Sequence, residues 1–460
     1  MNVDLIIRNA RLVDHSGEQH GSIAIANGRI VAIGADETMP DAERVIDAGG
    51  KVVMPGVIDP HCHLGVDYDY DEDMRTETAA AARGGVTTIL LFARSMNGPY
   101  VPFYRERRAR GEAASVIDFG FHFGIQREEH LDEIDDIVEH TGVQSFKCHM
   151  GYEPGNSIGI NSSPDSWVFA AMQKAAKLPR GVVSVHCENT DLVGLLKKQM
   201  IATGREDLAA YTESRPVYVE EEAIARMIRF SEVTGCPLYV VHTTAANGPR
   251  MAAEARNRGV DVTIETCPHY LTRTAYDEDL GPTARISPPL RDREQLEGLW
   301  EGMLNGQIGT LGTDHVPFRK NGGPVWTEKP GVVSFAWELP LMLHFAVNER
   351  GMSLSRLSEL NAANPAKQFG LFPQKGSLSV GADADLVLID LDLEQEVTHE
   401  SGKGTCLYEG WKLRGWPVLT LSRGEVVFDA DEPASEPKYG RGQCVTVPDA
   451  EREARLAAAG

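Results

Sequence analysis

The chain has 460 residues, with 45 Lys and Arg against 67 Asp and Glu and a formal net charge of −22. Apolar residues at 42% and charged residues at 24% match a folded protein with material for a large core, so wholesale disorder is excluded. The acidic balance opposes nucleic acid and anionic membrane surfaces as partners, because a negative surface repels both.

No apolar run approaches the ~18 residues of a membrane span, and residues 1–14 lack a basic-then-apolar leader. Seven cysteines without C-x-x-C spacing point to free thiols in a reducing compartment. The expected location is the cytoplasm.

Residues 3–55 read as short strands (4–9, 21–26, 29–34, 45–47 and 51–54) separated by turns at Ser16-Gly17, Asn27-Gly28 and Gly49-Gly50. Asn-Gly between two apolar runs is a strong hairpin signal. Eight apolar strand candidates then follow, at 52–63, 86–92, 116–125, 143–150, 182–188, 237–243, 260–266 and 308–314. Helix-like stretches alternate with them, among them 72–83, 128–141, 166–177, 220–234, 249–258 and 292–304. Several end at a glycine, as at Gly84-Gly85, Gly142, Gly181, Gly235 and Gly259, which takes the left-handed conformation that stops a helix.

Eight strand–helix units predict a (β/α)8 barrel. A doubly wound open sheet is the alternative, but no Gly-x-Gly-x-x-Gly follows any strand. Residues 376–430 return to the texture of the first 55, with strand candidates at 376–380, 384–390, 418–422 and 425–429. The expected organisation is a small β-sandwich domain composed of 1–55 and 371–435, a catalytic barrel over 56–370, and a C-terminal tail at 436–460 that packs on a neighbouring subunit.

Side chains able to bind a metal recur at the C-terminal ends of the apolar strands. His61 and His63 end the first, Lys147 lies near the end of the fourth, His186 ends the fifth, His242 the sixth and Asp314 the eighth. In a barrel those ends converge on one mouth. Residues i and i+2 of a strand face one way, so His61 and His63 can grip one ion together. Cys62 and Cys187 point to the other side, which argues against thiolate ligands. One His closing a buried strand is ordinarily a hydrogen-bonded core residue, and one Asp after Gly-Thr a turn or cap; five such residues at matching strand ends point to a metal centre.

Lys147 is the odd member, since a lysine of pKa ~10.4 is cationic and repels metal. Either it is a buried lysine paired with an acid, or its amine, deprotonated by desolvation and nearby cations, adds carbon dioxide. The resulting carbamate is an anion able to bridge two ions. Two divalent ions, one carbamate, one Asp and one hydroxide leave a net charge of about +1, tolerable in a partly closed site.

The string Met54-Pro55-Gly56-Val57-Ile58-Asp59-Pro60-His61-Cys62-His63 resembles the start of the cyclic amidohydrolases of the amidohydrolase superfamily. So do Ser145-Phe146-Lys147, Val185-His186-Cys187-Glu188-Asn189, Val241-His242 and Gly312-Thr313-Asp314-His315. Glu265-Thr266-Cys267-Pro268-His269-Tyr270-Leu271, Ser287-Pro288-Pro289-Leu290-Arg291 and Asn364-Pro365-Ala366-Lys367 also match. The likeness runs in order over nearly the whole chain and is strongest to hydantoinases and dihydropyrimidinases.

The resemblance implies two divalent metal ions, zinc foremost with manganese, iron or cobalt as alternatives, and an N6-carboxylated Lys147. His61, His63, Lys147 and Asp314 would hold one ion; Lys147, His186 and His242 the other. It implies Asp314 as general base and acid, Tyr152 as hydrogen-bond donor to the oxyanion, and Ser287 at the main-chain contacts to the cyclic amide. A homo-oligomer, tetramer or dimer, is implied in the same way.

Two positions depart from the pattern. Dihydroorotases carry an arginine two positions after the second histidine, where this chain has Gly65, which argues against that activity. Where dihydropyrimidinases contact the ring with an asparagine, Thr327 or Glu328 stands here, and Thr327 is the expected substrate-binding residue. The acidic run 67–73 reads as a solvated loop entering a helix, with an acidic lid as the second reading; 64–73 and 93–104 are the expected substrate loops. The expected reaction is hydrolysis of a cyclic amide or imide on a small-molecule substrate. The same centre acting on an open-chain amide, urea or carbamate is the alternative, and a non-catalytic scaffold the third.

Overall fold

The computed structural model describes residues 3–153, 155–399, 403–432 and 436–447. Five strands open the chain: β1 (Val3–Asp14), β2 (Gly17–Ala26), β3 (Arg29–Gly34), β4 (Ala42–Asp47) and β5 (Val52–Pro55). β2 and β3 meet at Asn27-Gly28, with φ of 51° and 73°, the left-handed pair whose twist suits a tight hairpin. β1 runs antiparallel to β2 and is interrupted between Ile7 and Ala10, where Asn9 has φ 52°. Before the interruption its parallel neighbour is β4, and after it β5.

The run 52–63, expected as one strand, is two. Gly56 divides it: β5 stays in the first sheet and β6 (Val57–Cys62) opens the second. A Cβ on Gly56 would stand 2.2 Å from Thr87 Oγ1, so only glycine lets the chain cross here.

β6 is followed by β7 (Val86–Ala93), β8 (Asp118–Gly124), β9 (Ser145–His149), β10 (Val182–His186), β11 (Leu238–Val240), β12 (Val262–Thr266) and β13 (Thr310–Leu311). Each runs parallel to its neighbour, in sequence order. The ring closes where the His63 N–H donates to the His315 carbonyl at 2.8 Å and Cys62 bridges His315. This is the expected (β/α)8 barrel. Its strands are apolar runs because helices cover the outside and side chains fill the inside.

The helices Tyr70–Arg83, Ile134–Thr141, Asp165–Ala175, Val217–Thr234, Gly248–Asn257 and Arg293–Leu304 occupy the expected stretches. The expected substrate loop 93–104 is cut short by a helix, Tyr100–Ala114. That helix buries only Tyr100, Tyr104, Gly111 and Ala114, with arginines between them, too thin an apolar stripe to announce itself.

β14 (Leu386–Glu396), β15 (Lys412–Ser422) and β16 (Glu425–Asp429) return to the first sheet, whose order is β16-β15-β14-β5-β1-β2-β3. β14 pairs antiparallel with β5, from Leu386 opposite Pro55 to Ile389 opposite Val52. Strands from both termini therefore share one core, including Ile7, Leu12, Ile23, Ile25, Val53, Leu386 and Leu421. No strand forms at 376–380: the segment turns at Gly376 (φ 79°) and Gly381 (φ 94°), and Leu378 alone enters that core.

The described part of the tail packs on its own chain. Residues 443–445 lie along the start of β8 of the same chain, with Phe119 N–H to Gln443 O at 3.0 Å and Val445 N–H to Phe119 O at 2.7 Å. Val445 packs on the cluster of Leu90, Phe92 and Phe369. Residues 448–460 of the expected tail lie outside the described residues. Nearby, the buried Lys375 joins barrel to sheet: its Nζ lies 2.8 Å from Asp118, 3.2 Å from Asp383 and 2.5 Å from Asp385.

Candidate metal centre

His61, His63, Lys147, His186, His242 and Asp314 line one pocket at the C-terminal mouth of the barrel. Asp314 Oδ1 lies 3.2 Å from His61 Nε2 and 3.1 Å from His63 Nε2. The His186 and His242 rings are 4.5 Å apart, and those of His61 and His242 5.2 Å. His242 (φ 39°) and Asp314 (φ 48°) both hold left-handed backbone just past their strands, a strain of about 1–3 kcal/mol each that collects at functional sites.

Three buried carboxylates steer the histidines. Glu265 Oε1 lies 2.6 Å from His61 Nδ1 and accepts the His242 backbone N–H at 2.8 Å, while Tyr239 donates to Glu265 Oε2 at 2.7 Å. Asp59 accepts the backbone N–H groups of His61 (3.0 Å) and Thr313 (3.1 Å), tying β6 to the segment bearing Asp314. Glu188 Oε2 lies 2.8 Å from His186 Nε2 and is paired with Arg215. With one ring nitrogen occupied this way, the other nitrogen of His61 or His186 is left for the pocket.

Burial drives His61 and His242 well below the ordinary imidazole range, and the Lys147 charge adds to it. Burial also lowers His63 and His186. The rings are therefore neutral, the form that ligates. Lys147, 1% exposed, is pulled down to about 8 by burial, against the pull of Glu265 and Asp314. Among the described residues its Nζ has no hydrogen-bond partner, and it lies 4.6 Å from the Phe92 ring centroid. His242 Nδ1 is likewise buried and unpartnered. Two orphaned nitrogens beside imidazoles and a carboxylate fit a cation site.

The sequence profile of the amidohydrolase family matches residues 52–427. The chain belongs to this family, in its hydantoinase and dihydropyrimidinase branch. An L-hydantoinase from Paenarthrobacter aurescens is 37% identical over 462 residues, covering 96% of this chain and 98% of that protein. An allantoinase from Bacillus licheniformis is 33% identical over 461 residues, covering 96% and 99%. The solved L-hydantoinase (dihydropyrimidinase) from Arthrobacter aurescens has a TM-score of 0.87 at 34% identity, covering 96% of this chain and all of that one.

In this amidohydrolase Tyr152 lines the pocket with its Oη 3.4 Å from His186 Nδ1, and burial raises its phenol so that it stays protonated. Ser287 also lines the pocket, its hydroxyl held by Tyr211. Thr327 is not brought there: it is exposed, and its hydroxyl turns back to the Pro324 carbonyl at 2.9 Å. Pro330, three residues on, is the member of that loop that lines the pocket. Gly65 has φ 68°, and a Cβ on it would lie 2.8 Å from Tyr70, so the dihydroorotase arginine has no room.

The acidic run is not a bare lid. Asp67 pairs with Lys329 at 2.5 Å, Asp71 with Arg110 at 2.7 Å, and Glu72 with Lys403 at 2.9 Å. Asp69 caps the helix Tyr70–Arg83, and Asp73 accepts the Gly65 N–H at 2.9 Å.

Glu188 and Glu265 stand within the motifs at 185–189 and 265–271, whose spacing alone gives neither a role. The i, i+2 rule that pairs His61 with His63 also places Asp59 beside His61 and Glu188 beside His186. Arg94 and His149 line the pocket too, His149 with Nδ1 3.0 Å from Gln126. A second carboxylate cluster, Asp118, Asp383 and Asp385, already encloses the Lys375 ammonium.

Proposed function

We propose that this amidohydrolase opens a cyclic amide or imide of the hydantoin or dihydropyrimidine type by adding water across a ring C–N bond. The observation that carries the reading is the meeting of His61, His63, Lys147, His186, His242 and Asp314 in one pocket. End-to-end similarity to hydantoinases and allantoinases supports it.

The proposed cofactors are two divalent ions, zinc foremost and manganese, iron or cobalt as alternatives. His61, His63 and Asp314 would hold one, His186 and His242 the other, and Lys147, as its N6-carboxylate, both. Bound there, the ions supply Lewis acidity that lowers the pKa of water toward about 7 and polarises the carbonyl.

Asp314 accepts a proton from the attacking water and returns it to the ring nitrogen as the C–N bond breaks and the C–O bond forms. Tyr152 donates its hydrogen bond to the carbonyl oxygen as negative charge gathers there. Ser287 contributes main-chain contacts to the ring amide. The apolar wall of Ile158, Ile160 and Phe318 keeps bulk water from the reacting carbon.

Metal analysis combined with rates on hydantoin, dihydrouracil, allantoin and N-alkyl or N-aryl ureas tests this. Ring opening with about two ions bound per chain is expected; turnover of ureas alone overturns the ring preference. Asp314→Asn should abolish turnover in a folded protein, and near-normal rates would refute its role. A cytoplasmic homo-oligomer, tetramer or dimer, completes the proposal, supported by the resemblance and by cysteines that show no C-x-x-C spacing.

A further inference from the structure

We propose that Arg94 makes the pocket selective for cyclic amides whose ring substituent ends in a carboxylate. This deepens the ring-opening reading and rests on it.

Arg94 directly follows β7 and lines the pocket with the candidate metal ligands. Its one hydrogen bond among the described residues is a long one, Nη1 to the Ile158 carbonyl at 3.4 Å. A guanidinium carries five N–H donors, so most of its capacity is unused. No carboxylate of the described residues lies within ion-pair distance of it, whereas three cations outside the pocket lining are engaged. Arg215 pairs with Glu188, Lys329 with Asp67, and Arg285 donates to the Val325 and Trp326 carbonyls at 3.0 and 3.1 Å.

Among the described residues the only carboxylate lining the pocket is Asp314, which lies close to His61 and His63. The acids of 67–73 are taken up by cations and backbone amides. Val66, Ile158, Ile160, Val316, Phe318 and Pro330 make up the apolar part of the pocket wall. Burial weakens the hold of Arg94 on its proton, opposed by the phenols of Tyr152 and Tyr100. A cation part-buried in an apolar wall without a counterion is a costly arrangement. A substrate carboxylate, met by two parallel N–H donors, relieves it.

The test compares 5-(2-carboxyethyl)hydantoin with its isosteric amide, 5-(2-carbamoylethyl)hydantoin, on the full-length metal-loaded enzyme. We expect the acid to be preferred about 10- to 100-fold in kcat/KM, the span of a charge-assisted hydrogen bond, expressed in KM rather than kcat. In R94M the acid-to-amide ratio should fall to about one, in R94K it should be partly kept, and in R94E it should invert. Thermal unfolding of each variant separates lost selectivity from lost fold, and R94K serves if R94M does not fold. Equal use of acid and amide by the parent enzyme, or a ratio unmoved by R94M, overturns the inference and leaves ring opening standing. A uniform loss on both compounds would assign Arg94 to the common product carboxylate and also overturn it. Failure to open any ring overturns the proposed function, and this inference with it.

Discussion

Oε1 of Glu265 lies 2.6 Å from Nδ1 of His61, and the same oxygen receives the His242 backbone N–H. One carboxylate thus sets the aim of one candidate ligand and the backbone of another. Glu265→Gln keeps the shape but puts an amide NH2 in place of one of the two carboxyl oxygens that hold His61, Tyr239 and the His242 backbone. Metal affinity should fall about 10- to 100-fold in a folded protein, read by competition with a chelator. Unchanged affinity would reduce Glu265 to a packing residue.

Tyr152→Phe removes the donor proposed for the developing oxyanion. We expect kcat to drop about 100- to 1,000-fold with KM little changed. A rise in KM alone would make Tyr152 a lining residue.

Lys147 links the site to pH. Burial holds its amine near 8, and only the neutral amine adds carbon dioxide. In metal-free protein, carbamate should form as pH rises through about 8 and be lost as pH falls below it. A carbon-13 signal after incubation with labelled bicarbonate reads this directly, and Lys147→Arg should show none. Labelling equal at about pH 6 and about pH 9 would sink the assignment.

Lys375→Met leaves Asp118, Asp383 and Asp385 facing one another in the interior. Removing one partner of a buried charge network costs about 3–5 kcal/mol. Denaturant unfolding should show a loss of that size, and an unchanged midpoint would mean that Arg423 alone neutralises the cluster.

The barrel was legible because parallel strands covered on both faces leave uninterrupted apolar runs, and glycine stops mark where each helix yields to the next strand. The positions of His61 and Asp314 at strand ends made the pocket readable from one dimension. Gly56 was not legible, because hydrophobicity does not change where the chain passes between sheets; only the 2.2 Å approach to Thr87 reveals it. The helix Tyr100–Ala114 hid behind its arginines. Thr327 was misplaced because a loop's spacing does not say which residue turns inward, and here Pro330 does. Arg94 went unread because an arginine beside a strand is ordinary until no described carboxylate proves to lie within ion-pair distance of it.

The pairing of β5 with β14 bears on how the molecule is made. β5 ends at Pro55 and its partner begins at Leu386, so the ribosome must deliver the whole barrel before the small sheet can be finished. Until then the open flank of β5 is an unpaired strand edge on a nascent chain, the kind of surface that invites wrong partners. His61 lies six residues beyond Pro55 on the same stretch of backbone. The last strands to leave the ribosome therefore lock the ground on which the first candidate ligand stands.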